Sequence, residues 1–414
     1  MIALCFTATA INYIDRLNLS LAAPFMQKDL GISPKDMGLI FGAFFWTYGI
    51  MQLPMGWLVD RLGAKKLYAF ASTWWSLFTA STVLGRGLVS LFGLRLLLGV
   101  GEAGAYPSNA KVTALWFSPR QRGWATAIFD SGSRVGAALS FPLVVVLIKY
   151  LGWRGAFIAT GALGLIWVVV WLIYYRDPTP AEAKAIGSLA AQAPGERIGK
   201  DHLHIKWIHL FRYRTVWGMM IGFACLNFVI YFFITWFPTY LVQARGFSLA
   251  KLGYLGMLPA TCAIFGGWIG GIVSDMLYRR WTVSVTRKTC LVLGMLLSSV
   301  IGIAAFVDST WLALALLCVS YASLAFTGAN VWCLPADVAP SAAYVASLGG
   351  IQSCAANLSG GVTTFLTGYL LELTKGSFVL PLAIGGGVAV LGSAAYLFLM
   401  GPIKPLTLRP ERPA

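Results

Sequence analysis

Runs of about twenty apolar residues recur along this chain, separated by short clusters of charged and turn-forming residues. At 1.5 Å of rise per residue, about 20 residues in a helix cross the ~30 Å hydrocarbon core of a bilayer. Each run therefore predicts a membrane span. Cutting at the polar clusters places twelve of them near 3–26, 36–59, 67–84, 87–110, 125–148, 155–175, 215–241, 252–276, 289–307, 310–333, 343–370 and 377–400. One interruption is much longer than the rest. From Arg176 to Arg214 the chain carries Asp177-Pro178, Pro180, an Ala-rich run and Pro194-Gly195, and it divides six spans from six. The pattern predicts an all-α membrane protein: an N-terminal six-helix bundle (1–175), a linker (176–214), a C-terminal six-helix bundle (215–401) and a tail (402–414). The first apolar run has no basic leader and already holds Asn12 and Asp15, so a cleavable signal peptide is not expected.

Composition agrees with this reading. Of 414 residues, 58% are apolar and 11% charged, and the mean hydropathy is +0.74, which excludes a soluble enzyme or a secreted scaffold. A net charge of +16 first suggests nucleic acid. Its distribution argues otherwise. With both termini on the cytoplasmic side, twenty Lys and Arg fall on that side and eight on the other, while Arg16, Arg95 and Arg134 lie within spans. Basic residues stay in the cytoplasm, so the charge reports topology, and the expected neighbour is anionic lipid rather than nucleic acid. Cys5, Cys225, Cys262, Cys290, Cys318, Cys333 and Cys354 are odd in number and show no CxxC spacing; they are expected as free thiols packed like small apolar side chains.

The two halves echo each other. Gly56-Trp57-Leu58-Val59-Asp60-Arg61-Leu62-Gly63-Ala64-Lys65-Lys66 follows span 2, and Gly271-Ile272-Val273-Ser274-Asp275 with Arg279-Arg280 follows span 8. Duplicated six-helix units are the mark of alternating-access transporters. The first of these segments resembles the GxxxDRxGxKK loop of the major facilitator superfamily, and Arg95 with Gly99, Gly101 and Glu102 resembles that superfamily's RxxxGxG pattern in span 4. Within it, Asn12-Tyr13-Ile14-Asp15-Arg16, together with Gly101-Glu102-Ala103-Gly104-Ala105-Tyr106-Pro107, resembles the anion:cation symporter family. That family includes bacterial permeases for D-galactonate, glucarate and hexuronates, as well as sialin and the vesicular glutamate transporters. The antiporter glycine-proline pattern is missing around Gly132, Gly136 and Pro142, which favours symport. The resemblance implies a proton-coupled importer of a small organic anion in a bacterial inner membrane, monomeric and without a cofactor. It also implies proton coupling at Asp15 and Glu102 and substrate binding at Arg16.

Charges within spans are costly unless paired or wet. Asp15, Arg16, Arg95, Glu102, Asp130 and Arg134 all need a reason. Asp130 and Arg134, four apart, are expected to pair on one helix face as a structural or gating contact. Arg95 and Glu102 lie two turns apart, with Tyr106 and Asn109 continuing their face along an unbroken span, as a polar stripe turned to a cavity. Tyr13 shares a face with Arg16, and Asp15 points about 100° away. Arginine keeps its proton when desolvated and offers a fork to a carboxylate, so Arg16 is the candidate anion binder and Arg95 the cation that tunes Asp15 or Glu102.

Polar residues elsewhere can read hydroxyls: Tyr48 and Gln52 in span 2, Asn227, Tyr231 and Thr235 on one face of span 7, Asn330 and Trp332 in span 10, and Gln352, Ser353 and Asn357 in span 11. With no second arginine in span 7, a hydroxyl-rich monoanion such as a sugar acid is preferred to a dianion. A permease for aromatic carboxylates, an anion exchanger, and a membrane-embedded enzyme or sensor are the alternatives. Asp60, Arg61 and the second-half Asp275 are expected to govern gating, Asp60 toward spans 10 and 11 as in the family. Two patterns mislead. Gly99, Gly101 and Gly104 spell GxGxxG inside a membrane helix with no strand before it, and His202, His204 and His209 fall together in the linker, so neither a nucleotide nor a metal site is expected.

Overall fold

The computed structural model describes residues 1–118, 121–179, 181–182, 185, 207–340 and 342–406. Among them the chain is helical, with no strand, consistent with the twelve spans that the hydropathy pattern predicts. Seven described helices are long and apolar enough to cross a membrane. One of them, Trp124–Tyr174, has 51 residues and holds spans 5 and 6 together. Gly152, at φ 69°, turns the chain between them; only glycine enters that region without strain. Spans 1 and 2, Ile2–Leu30 and Pro34–Leu62, are 29 residues each and are not among the seven. They carry many of the polar positions. Gly31 ends the first helix in the left-handed conformation, and the Ser33 hydroxyl caps the second by accepting from the Asp36 amide with Pro34 at the first turn.

Spans 4, 7, 8, 9 and 10 are interrupted rather than continuous helices. Span 4 is Leu88–Glu102 followed by Ala105–Trp116, span 8 is Leu249–Leu255 followed by Leu258–Tyr278, and span 7, Arg214–Thr235, passes into a short turn at Phe237–Thr239. The interruption in span 4 is slight, for the backbone there stays right-handed helical and Leu88–Trp116 forms one 29-residue span. It falls at Ala103-Gly104, after the glycines that let span 4 approach its neighbours. A Cβ on Gly99 would meet the Phe44 carbonyl of span 2, and one on Gly101 would meet the backbone of Trp75 in span 3. Gly132 and Gly136 likewise press span 5 against the Phe6 and Ala10 carbonyls of span 1.

Contacts divide the chain into two compact units. The first comprises Met1–Gly199, Tyr231–Thr261 and Gly360–Phe378. In it Ser20 donates to the Ile234 carbonyl, the Trp236 indole donates to the Thr364 carbonyl at 3.1 Å, and Gln243 meets Gln27 at 3.1 Å. The second comprises Lys200–Ile230, Cys262–Ser359 and Val379–Ala414. Its organising side chain is Arg287, which reaches Asp337 (3.0 Å), Ser274 (2.9 Å) and Asn330 (2.9 Å), tying the ends of spans 8, 9 and 10. The chain after span 12 lies along that same end: the Ile403 amide donates to Ser284, and the Leu406 amide to the Val338 carbonyl. All seven cysteines are free; Cys354 is exposed, contrary to the packed role expected of it.

Candidate functional site

The intramembrane charges of spans 1 and 4 meet inside the first unit. Arg16 Nε donates to Glu102 Oε2 at 2.7 Å, with side chains 7% and 0% exposed. Three rings surround the guanidinium: Tyr13, Phe44 and Tyr48 have their centroids 5.0, 4.9 and 4.5 Å from its central carbon. Such contacts hold a cation without consuming its hydrogen-bond donors. One of those donors, Nη2, has no partner, and neither does Glu102 Oε1. The fork is thus half engaged.

Asp15 is fully buried, and both of its carboxylate oxygens lack a hydrogen-bond partner. As its angle on the helix predicts, it turns from Arg16 toward span 6, where Thr160 lies beside it, with Glu102 and Arg95 as its charged neighbours. Arg95 is buried and its Nε is unpartnered. Two cations and two carboxylates therefore share one dehydrated region with few direct contacts. Formal neutrality makes that tolerable, and removing any one charge leaves another uncompensated.

A small pocket opens on this cluster within the first unit. Arg16 and Arg95 supply its charge, Phe41, Phe44 and Phe45 an apolar wall, and Thr235 a hydroxyl. Its make-up, apolar walls with a few convergent polar groups, is that of a small-molecule site. Tyr231 packs on Phe45 with centroids 4.2 Å apart, opposite Gly360. Gln52 is half-buried one turn beyond Tyr48. Asn227 and Asn357, buried in the second unit, donate to the carbonyls of Phe223 (2.9 Å) and Ser353 (3.0 Å) on their own helices.

Beyond the cavity the sequence was partly right. Asp130 and Arg134 do pair, at 3.3 Å, and Tyr106 joins them by donating to Asp130 at 3.2 Å. Tyr106 and Asn109, three apart on the helix Ala105–Trp116, take different partners: Asn109 donates to Thr9 of span 1 at 3.0 Å. Asp60 pairs with Lys111 of span 4 at 2.7 Å, a partner the sequence did not indicate, and Arg61 lies over Trp57 at 4.3 Å. Asp275 is exposed, and the carboxylate paired at its end of the second unit is Asp337. Arg287 belongs to the basic cluster after span 8, so its position was visible and its role was not. No group of three or more metal-binding side chains occurs among the described residues. His202, His204 and the side chain of His209 lie outside them.

Interrupted spans, interior glycines and a charged cavity among apolar walls define a multi-pass transport protein rather than an enzyme. The sequence pattern of the Major Facilitator Superfamily matches residues 5–343, and the chain belongs to that family. It is 37% identical over 435 residues to the "Probable galactarate/D-glucarate transporter GudP" of Escherichia coli, covering 99% of this chain and 95% of that protein. It is also 34% identical to the "Hexuronate transporter" of Bacillus subtilis over 420 residues, covering 100% and 97%. Among solved structures, a bacterial homologue of the human lysosomal transporter Spinster, inward-facing and occupied, superposes with a TM-score of 0.78 at 18% identity, covering 96% of each chain, which speaks to the fold alone.

Proposed function

We propose that this protein imports a sugar acid together with protons by alternating access, from a bacterial inner membrane in which both termini are cytoplasmic. The observation that carries the reading is the half-engaged Arg16–Glu102 pair at the cavity, with Asp15 buried and unpartnered beside it. In the empty carrier Glu102 neutralises Arg16. A substrate carboxylate can claim the guanidinium only when Glu102 gives it up, and protonation of Glu102 does that at the least electrostatic cost. Asp15, facing Arg95 without a direct bond, is the second proton site. Binding and proton uptake are then linked, and release on the inner side requires the carboxylates to ionise again.

The named substrates of the relatives support a sugar acid, and they include the dicarboxylates galactarate and D-glucarate as well as monocarboxylic hexuronates. The monoanion preference rested on the lack of a second arginine in span 7. Arg95 on the cavity supplies a second cation from span 4, so an aldarate fits the charge balance too. The phenylalanine wall favours one competing reading, an aromatic carboxylate. Proteoliposomes under an imposed pH gradient test both, with D-glucarate, galactarate, D-glucuronate and benzoate as substrates. Uptake of a sugar acid with proton entry is expected, Asp15→Asn and Glu102→Gln losing gradient-driven accumulation while at least one keeps exchange at equal concentrations. Accumulation of benzoate alone, or both variants still concentrating sugar acid with protons, overturns the proposal.

A further inference from the structure

The polar side chains behind the cavity form a line that the substrate site does not use. From Asp15 the interior of the first unit continues through Asn12, beside Glu102, to Thr9, which accepts from Asn109; Asn109 in turn lies beside the Tyr68 hydroxyl of span 3. Thr9 to Asp15 is six residues of helix, about 9 Å. All of these groups are buried. Both amide atoms of Asn12, both oxygens of Asp15, Glu102 Oε1, Asn109 Oδ1, Ser108 Oγ and the Tyr68 hydroxyl lack hydrogen-bond partners within the protein. On span 3, Ser72, Trp75, Ser76 and Thr79 add four more such atoms within one 100° arc that includes Tyr68. Buried polar atoms find partners in native proteins, and where side chains do not provide them water does. So dense a run in one seam has the chemistry of a water file.

We infer that this seam carries the coupled protons between Asp15 and Glu102 and the membrane face at Lys65, so that protons leave through the interior of the first six spans rather than through the substrate cavity. The inference rests on the symport reading above. Tyr68, buried against Trp167 and Trp171, ends the line one turn from Lys65, whose carbonyl accepts from the Trp171 indole at 3.0 Å. The transfer breaks and makes only O–H bonds. A protonated carboxyl gives its proton to a water; each water and each hydroxyl of Ser108 and Tyr68 accepts one proton and passes one on, while Thr9, whose own O–H donates to the Cys5 carbonyl at 2.9 Å, holds Asn109 in the line; the last proton appears at the Lys65 face. Asn12 and Asn109 orient water without relaying. Two ligands can thus follow separate routes out, and release of the anion does not have to wait for water to reach the carboxylates through the cavity.

Tyr68→Phe and Thr9→Val remove hydroxyls with little change of shape. In proteoliposomes with D-glucarate and an internal pH dye, the double variant is expected to slow net uptake and proton entry about tenfold, while exchange of internal for external D-glucarate at equal pH, which needs no net proton release, stays within about twofold. Ser108→Ala alone, a smaller perturbation, is expected to move the two readouts in the same divergent way. Equal loss of exchange and uptake means a structural role and overturns the inference, as does wild-type proton entry in all variants. A wild type that moves D-glucarate without protons overturns the symport reading and the inference with it.

Discussion

Two arginine–carboxylate pairs of similar length, Arg16–Glu102 at 2.7 Å and Arg287–Asp337 at 3.0 Å, are built to opposite ends. Arg287 is the more fully engaged: besides Asp337 it donates to Ser274 and Asn330, and its pair is 20% and 25% exposed at the ends of three helices. Arg16 is more deeply buried, yet one of its nitrogens and one Glu102 oxygen are left without partners. Burial raises the cost of an unmet charge, so an optimally stable interior would satisfy Arg16 before Arg287. The reverse is found. Arg287 is a rivet, and Arg16 is held by rings and one carboxylate in a state that a ligand can complete.

The sharpest way to break this contrast is Arg16→Lys. Lysine keeps the charge but loses the planar fork and its fit among Tyr13, Phe44 and Tyr48. Binding of D-glucarate by purified protein, followed by calorimetry, is expected to weaken by about a hundredfold or more, in line with the loss of a charge-assisted bidentate contact worth about 3 kcal/mol. Thermal stability should change little, since Glu102 still faces a cation. Wild-type affinity in Arg16→Lys removes Arg16 from the substrate site.

Much of this centre was legible before any coordinates, because charge within an apolar run has few explanations. The twelve spans, the Tyr13–Arg16 face and the Asp130–Arg134 pair all follow from the length and spacing of helices. What spacing could not supply were partners brought from elsewhere in the chain. Lys111 on Asp60 is fifty-one residues away, Asp337 on Arg287 fifty, and Asn109 on Thr9 one hundred. The packing role of Gly99, Gly101 and Gly104 was also missed, although their spacing was in view. Their spacing was judged against a nucleotide motif and dismissed, when its physical content was tight packing of span 4 on spans 2 and 3. Hydropathy alone also undervalues spans 1 and 2, which carry Asn12, Asp15 and Arg16 and are not among the seven long apolar helices.

Arg287→Gln tests the other side of the contrast with a smaller expected effect. Glutamine can keep a contact to Ser274 or Asn330 but leaves Asp337 without its cation. Loss of hydrogen bonds to a charged group at a partly exposed site costs about 1–3 kcal/mol, so detergent-solubilised protein should melt several degrees lower. D-glucarate affinity should stay within about twofold of wild type. Because the chain after span 12 lies on Ser284 and Val338 at the same end, protease sensitivity there should rise together with the loss of stability. A large loss of affinity with unchanged melting would show that the second unit's more fully engaged arginine reports on ligand after all.

The smallest effect belongs to an ion pair that is bidentate but lies at an exposed site. At the start of the linker Arg176 grips Glu182 through both nitrogens, at 2.7 and 2.6 Å, and the amide and hydroxyl of Thr179 also donate to the carboxylate. Those bonds, the arginine's first, lower the Glu182 pKa from its ordinary 4.5 to about 2. A carboxyl whose folded pKa is depressed favours the folded turn fully above pH 4.5, and the advantage fades as pH falls from about 4.5 to about 2. Solvent and salt screen so exposed a pair, and pairs of this kind add little to global stability. Proteolysis of the linker by an acid-active protease should therefore accelerate across that window in wild type and be flat in Glu182→Gln, while the melting temperature of the two proteins at pH 7 stays the same within error. If the number of bonds alone made an ion pair important, Glu182→Gln would melt as early as Arg287→Gln; the expected gap between them measures what burial at the helix ends adds.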